Sequence, residues 1–266
     1  LNIKAKICME KITGRNNELI KHVKKLFVSR RERMQQGRFV LEGARLSFDV
    51  LNSPYNPELF LITEKAAKKF EKQYKEMIKT AGSAYFISED IADKLSETEN
   101  TQGVFCVCRM QNTPYGIEAN KKYIALDSLQ DPANLGAIIR TAEALGIDGA
   151  ICFNCCDIYN PKALRASMGS ILRLPVILSE NLVEDIEKAK KSGFGVFAAV
   201  PDKNAADITK IDFPASSVCI IGNEGNGISE AVKAAAGQLV TIHMLGRAES
   251  LNASMAGAIA MWEMMR

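Results

Sequence analysis

Apolar residues recur at spacings of three and four from about Asn17 onward. Leu19, Ile20, Val23, Leu26 and Phe27 share one face while Lys21, His22, Lys24 and Lys25 take the other, which predicts a basic amphipathic helix. After Arg30-Arg31-Glu32-Arg33, a turn at Gln36-Gly37 leads into a short strand, Arg38-Phe39-Val40-Leu41-Glu42. The pattern then predicts a helix over 43–51, a strand over 59–62, a Lys-rich helix over 65–80, a strand over 84–87, a helix over 91–95 and a strand over 104–109. Such alternation describes a small α/β layer domain over residues 1–110. Residues 111–120 are rich in turn formers and read as a linker.

A second α/β segment, residues 121–266, shows strands over 123–126, 149–152, 176–178, 195–199, 218–221 and 239–242. Helices are predicted over 135–145, 161–168, 182–191, 229–235 and 251–265. Uninterrupted apolar strands such as Val218-Cys219-Ile220-Ile221 predict a mostly parallel sheet covered on both faces.

Composition adds a charge asymmetry. The chain of 266 residues is 47% hydrophobic and 24% charged, a globular balance. Its net charge of +3 conceals 12 Lys and Arg against 4 Asp and Glu in residues 1–45, net +8, and therefore −5 over residues 46–266. A basic arm on a mildly acidic body points to a polyanionic partner. Seven cysteines, an odd number without a disulfide spacing, predict a reduced, intracellular chain. The CxxC spacing of Cys152 and Cys155 has no second CxxC or HxxxH to complete a site, and only His22 and His243 are present, so no metal is expected. No apolar run reaches ~18 residues and the N-terminus lacks a secretory h-region, which predicts a cytoplasmic protein without a membrane span. Met9-Glu10-Lys11-Ile12 reads as a natural start, with residues 1–8 a non-native or upstream extension.

Three loops follow predicted strands, where ligands bind in doubly wound sheets. The first, Asp131-Pro132-Ala133-Asn134, places Asn134 at a helix N-cap, with Gly136 and Arg140 four apart on that helix. Taken alone, Arg140 reads better as an ion-pair partner of Glu143 than as a site residue. The second, Gly222-Asn223-Glu224-Gly225-Asn226-Gly227, matches neither GxGxxG nor the P-loop, and Glu224 would repel a pyrophosphate. It suits a nucleoside ligand without phosphates such as S-adenosylmethionine; a tight turn with a solvated Glu explains it equally well in isolation. The third places Ser250 at another N-cap and Asn252 in the first turn, able either to cap or to contact a ligand.

Together, and in this order, Asn134-Leu135-Gly136-Ala137-Ile138-Ile139-Arg140-Thr141-Ala142, Gly222-Asn223-Glu224-Gly225-Asn226-Gly227 and Ser250-Leu251-Asn252-Ala253-Ser254 resemble the SpoU/TrmH family of SPOUT-class RNA ribose methyltransferases. The region around Arg38–Gly43 resembles, more loosely, the family's ribosomal-protein-like substrate-binding domain. The resemblance implies a deep trefoil knot, a homodimer, and S-adenosylmethionine as cofactor. It also implies a cofactor site at Ile221, Gly222, Ile242, Met244, Leu251 and Asn252, and a catalytic pocket of Asn134, Arg140, Glu224, Ser250 and Asn252. His243 departs from the family's usual proline, which bears on local backbone rigidity. The expected reaction is methyl transfer to a ribose 2′-hydroxyl of structured RNA, with large-subunit rRNA first, tRNA second, and a non-catalytic RNA-binding protein as the alternative. Lys21, Lys24, Lys25, Arg30, Arg31, Arg33 and Arg38 are the expected RNA contacts, although such a run is also what any solvated helix face looks like. A nucleotide-dependent oxidoreductase is disfavoured because no GxGxxG follows the first strand of either domain.

Overall fold

Strands and helices alternate through both halves of a computed structural model that describes residues 9–14, 16–111 and 116–266. The extension expected at residues 1–8 and linker residues 112–115 lie outside the described residues. The chain divides into two units, Leu1–Gln111 and Asn112–Arg266.

The first unit runs β1 (Lys11–Ile12), α1 (Glu18–Val28), α2 (Arg30–Gln36), β2 (Arg38–Glu42), α3 (Ala44–Asp49), β3 (Pro57–Thr63), α4 (Glu64–Lys69), α5 (Glu71–Thr80), β4 (Ser83–Ile87), α6 (Glu89–Leu95) and β5 (Val104–Arg109). Its five strands form one mixed sheet in the order β1-β4-β3-β5-β2. The Asn17 side chain accepts the Leu19 N–H to cap α1, and Ile20, Val23, Leu26 and Phe27 pack on Val40, Leu61 and Phe105 of the sheet. One expectation needs correction. The Lys-rich helix is two helices, because Phe70 leaves the helical conformation (φ −115°, ψ 40°) and its ring meets Phe48 at 5.9 Å. After α1 a second helix, α2, begins at Ser29, whose hydroxyl accepts the Glu32 N–H.

The second unit runs β6 (Lys122–Asp127), α7 (Pro132–Leu145), β7 (Gly149–Phe153), α8 (Pro161–Ser167), β8 (Val176–Ser179), α9 (Leu182–Lys191), β9 (Gly195–Ala199), β10 (Ala206–Asp207), β11 (Ser217–Ile221), α10 (Glu230–Ala235), β12 (Gln238–Thr241) and α11 (Ala253–Met265). Its seven strands, ordered β10-β12-β9-β11-β6-β7-β8, are parallel throughout. Both faces are covered, which is why the central strands read as unbroken apolar runs. Helices α7 and α8 touch at Gly136, where a Cβ would stand 2.4 Å from the Ala163 carbonyl oxygen. The two-residue strands β1 and β10 carry no readable period. Among the described residues no helix is long and apolar enough to cross a membrane.

Candidate functional site

The three loops converge at the carboxyl ends of β6, β11 and β12. The glycine loop after β11 closes on itself: Asn223 and Gly227 exchange N–H···O bonds at 3.0 Å, and the Asn223 side chain accepts the N–H groups of Gly225 and Asn226. Gly222 must be glycine, since a Cβ there would lie 2.2 Å from the Gly227 carbonyl carbon. The loop is tied to β6 by Asn223 Nδ2, which donates to the Ser128 carbonyl at 2.8 Å. A second tie is the buried Asp127, whose Oδ2 accepts the N–H and hydroxyl of Ser229, each at 2.8 Å.

Glu224 is the hub. Its carboxylate accepts the N–H groups of Gln130 (3.2 Å) and Asp131 (3.0 Å) and the Asn134 amide (3.1 Å). Burial alone would raise this carboxyl, but the bonds from Asn134, Asp131 and Gln130 outweigh it and hold it below its ordinary value. Asn134 Oδ1 in turn accepts the Asn252 amide at 3.1 Å, and Asn252 Oδ1 caps α11 by accepting the N–H and hydroxyl of Ser254. One hydrogen-bonded chain, Glu224–Asn134–Asn252, therefore joins all three loops.

Beside it opens a cavity of about 170 Å³. Ile221, Gly222, Ile242, Met244 and Leu251 line it, together with Glu224 and Ser250, while Asn252 acts through the hydrogen-bonded chain. Ala199, Val200 and Pro201 form a further wall that the sequence reading missed. Their signal was position alone, at the carboxyl end of β9. Among the described residues the Ser250 hydroxyl has no hydrogen-bond partner.

Three placements differ from expectation. The N-cap of α7 is Asp131, which accepts the Ala133 N–H at 2.9 Å; Asn134 lies in the first turn, where its side chain is free to reach Glu224. The N-cap of α11 is Asn252, so that helix starts at Ala253 and Ser250 stands outside it. Arg140 does not pair with Glu143, whose carboxylate is held by Arg173 (2.7 Å) and Ser170 (2.8 Å). Arg140 is exposed, makes no hydrogen bond or ion pair among the described residues, and does not line the cavity of its own chain. The His243 Nε2 lies 3.8 Å from an Asp207 carboxylate oxygen of the edge strand β10.

Cys156 donates its N–H to the Leu129 carbonyl at 2.8 Å, and burial first, then Cys155 and Glu224, push its thiol up to about 12. It therefore stays protonated at neutral pH. No group of three or more His, Cys, Asp and Glu among the described residues is placed to hold a metal ion.

In the first unit Arg33 is corrected. It is 2% exposed, and its guanidinium donates to the carbonyls of Leu26 and Phe27 at 2.6 and 2.7 Å, capping the end of α1 instead of facing RNA. Arg38 pairs with Glu58, Lys21 with Glu18 and Lys24 with Glu97. Lys25, Arg30 and Arg31 are exposed.

Comparison with known proteins agrees with this geometry. The MRM3-like substrate binding domain matches residues 17–106. Over 257 residues, 96% of this chain and 99% of the relative, the sequence is 31% identical to the 23S rRNA (guanosine(2553)-2′-O)-methyltransferase RlmP of Bacillus subtilis. A Synechocystis tRNA/rRNA methyltransferase, itself uncharacterized, is 30% identical over 96% of this chain and 93% of its own. Among solved structures, an AdoMet-bound rRNA methyltransferase from Sinorhizobium meliloti superposes with a TM-score of 0.86 at 26% identity, covering 96% of this chain and 97% of that one. The SpoU methyltransferase AviRb of Streptomyces viridochromogenes, in complex with AdoMet, gives 0.83 at 25% identity over 94% and 97%. With the SpoU rRNA Methylase family model matching residues 121–262, the stretch that carries all three converging loops, the chain belongs to that family.

Proposed function

We propose that the protein transfers a methyl group from S-adenosylmethionine to a ribose 2′-hydroxyl of structured RNA, large-subunit rRNA before tRNA, as a cytoplasmic homodimer. The carrying observation is the cavity walled by Ile221, Ile242, Met244 and Leu251, with Glu224 in its lining and, among the described residues, no Lys or Arg there. Apolar walls and exposed loop backbone suit an adenosine, and a carboxylate without cations suits a positively charged ligand lacking phosphates. The lining fits S-adenosylmethionine, which Ile221, Gly222, Ile242, Met244 and Leu251 would hold and which, when bound, supplies an electrophilic methyl group. The full-length similarity to a 23S rRNA enzyme supports rRNA as the substrate.

The chain's own task is to align the ribose hydroxyl and to remove its proton. Ser250, with a free hydroxyl, orients the incoming ribose. Asn134 and Asn252 hold Glu224 and the loops in register. Arg140, permanently protonated and a poor base, holds the target phosphate or stabilises the developing alkoxide.

Arg140 lies away from its own chain's cavity, so in this reading it serves the cavity of the second copy. The dimer surface is the last helix, where Met255, Ile259, Trp262 and Met265 are 55%, 36%, 60% and 40% exposed at spacings of four, three and three. Such a stripe marks an interface. The trefoil knot belongs to the same reading, supported by α11 packing back onto β6 and β11 after the chain has left them for β12. Lys25, Arg30 and Arg31 contact RNA phosphates. Arg140→Ala abolishes methyl transfer at unchanged melting temperature; an active variant removes Arg140 from the chemistry.

A further inference from the structure

We propose that Gln130 and Asn154 select the base of the target nucleotide by accepting N–H groups from its exocyclic amine, an inference that rests on the RNA reading above. Both residues are exposed, in the segments that follow β6 and β7. Gln130 borders the cavity, because its N–H donates at 3.2 Å to Glu224, which lines it.

The partners of each amide decide which of its ends is free. Gln130 Nε2 donates to the carbonyls of Ser128 at 3.1 Å and Asn154 at 2.9 Å, so both of its hydrogens are taken. The Ser128 hydroxyl donates its one hydrogen to Asp127 Oδ1 at 3.0 Å and is left with lone pairs alone for Asn154 Nδ2, at 3.4 Å. In both amides the nitrogen is engaged and the oxygen is not: no group among the described residues donates to Gln130 Oε1 or Asn154 Oδ1. The Ser128 carbonyl also accepts Asn223 Nδ2 at 2.8 Å, which fixes the pair to the glycine loop. Ser128 and Asn154 hold φ angles of 61° and 50°, a left-handed backbone that persists in residues other than glycine where the surroundings enforce it, as they do at ligand sites.

Two unoccupied acceptors choose a donor. The exocyclic amine of guanine, adenine or cytosine carries two N–H groups on one atom and can serve both oxygens. Uracil offers a single N–H between two carbonyl oxygens, which would face the amide oxygens and be repelled. The target base therefore carries an amine.

The test first locates the nucleoside of 23S rRNA that takes label from S-adenosylmethionine, then compares two synthetic fragments centred on it, one with the natural base and one with its amine replaced by hydrogen. With the unmodified chain, loss of the amine lowers kcat/KM about tenfold, the scale of one hydrogen bond. Gln130→Met brings the same loss on the natural fragment, at unchanged melting temperature, and no further loss once the amine is gone. An amine-free fragment methylated at the natural rate, a Gln130→Met loss equal on both fragments, or label in 2′-O-methyluridine overturns the selection while methyl transfer stands. Label in no RNA overturns the RNA reading itself.

Discussion

Glu224 is an acceptor with three donors, and that occupancy decides its role. A carboxylate already engaged by Gln130, Asp131 and Asn134 is an organiser of loops and not a proton acceptor. Glu224→Gln keeps the size but turns one acceptor oxygen into a donor. Hydrogen bonds to a charged group are worth about 1.5–3 kcal/mol, and the exposure of Glu224 puts the expected effect at the low end, about a tenfold fall in kcat/KM. Its carboxyl is held below the ordinary value in the folded chain, so the stabilisation is present above the unfolded value of about 4.3 and is lost as pH falls below it. Calorimetric titration with S-adenosylmethionine should show affinity falling on that acid side, with the fall absent in Glu224→Gln; an identical acid limb in both proteins removes Glu224 from the network. At this scale the fold changes the tasks that residue type alone suggests for several side chains. Ser250 and Asn252 are equally good caps by type, and only the fold shows that Asn252 caps while Ser250 remains free. Arg33 looked like one more cation in a basic run because a guanidinium that caps a preceding helix leaves no periodic trace.

Among the elements, α7 supplies the middle link of the hydrogen-bonded chain that joins the three loops. Its first turn delivers Asn134, and the closeness of its approach to α8 is set by Gly136. Gly136→Ala would put a methyl group 2.4 Å from the Ala163 carbonyl oxygen, within a buried contact that cannot yield cheaply. The overpacking cost is about 1–3 kcal/mol, read as a lower urea midpoint at unchanged m-value; a neutral substitution would mean that α7 and α8 separate without penalty. Strands were legible because a sheet covered on both faces demands continuous apolar runs. Helix breaks were not. Ser29 and Phe70 interrupt helical stretches through a hydroxyl cap and a ring contact with Phe48, and both interactions are tertiary or local details invisible to a hydrophobic period.

For the whole molecule, the charge asymmetry and the exposed stripe on α11 are the features that a single folded copy does not use. Trp262→Glu removes the largest side chain of that stripe and places a charge in an apolar contact. The expected outcome is a monomer by light scattering and, under the proposal that Arg140 serves the second copy's cavity, a loss of methyl transfer of at least about 100-fold, the scale of a lost charge-stabilising group; a monomer with full activity would return Arg140 to its own chain's site. The basic arm was legible as a sum, but the structure divides it between one buried cap, several ion pairs and the exposed Lys25, Arg30 and Arg31. The central claim is tested most directly by incubating the purified protein with labelled S-adenosylmethionine and unmodified 23S rRNA, digesting the RNA to nucleosides and locating the label by mass. The account predicts one 2′-O-methylated nucleoside, absent with Arg140→Ala; label on a base, or no label in any RNA, would contradict it.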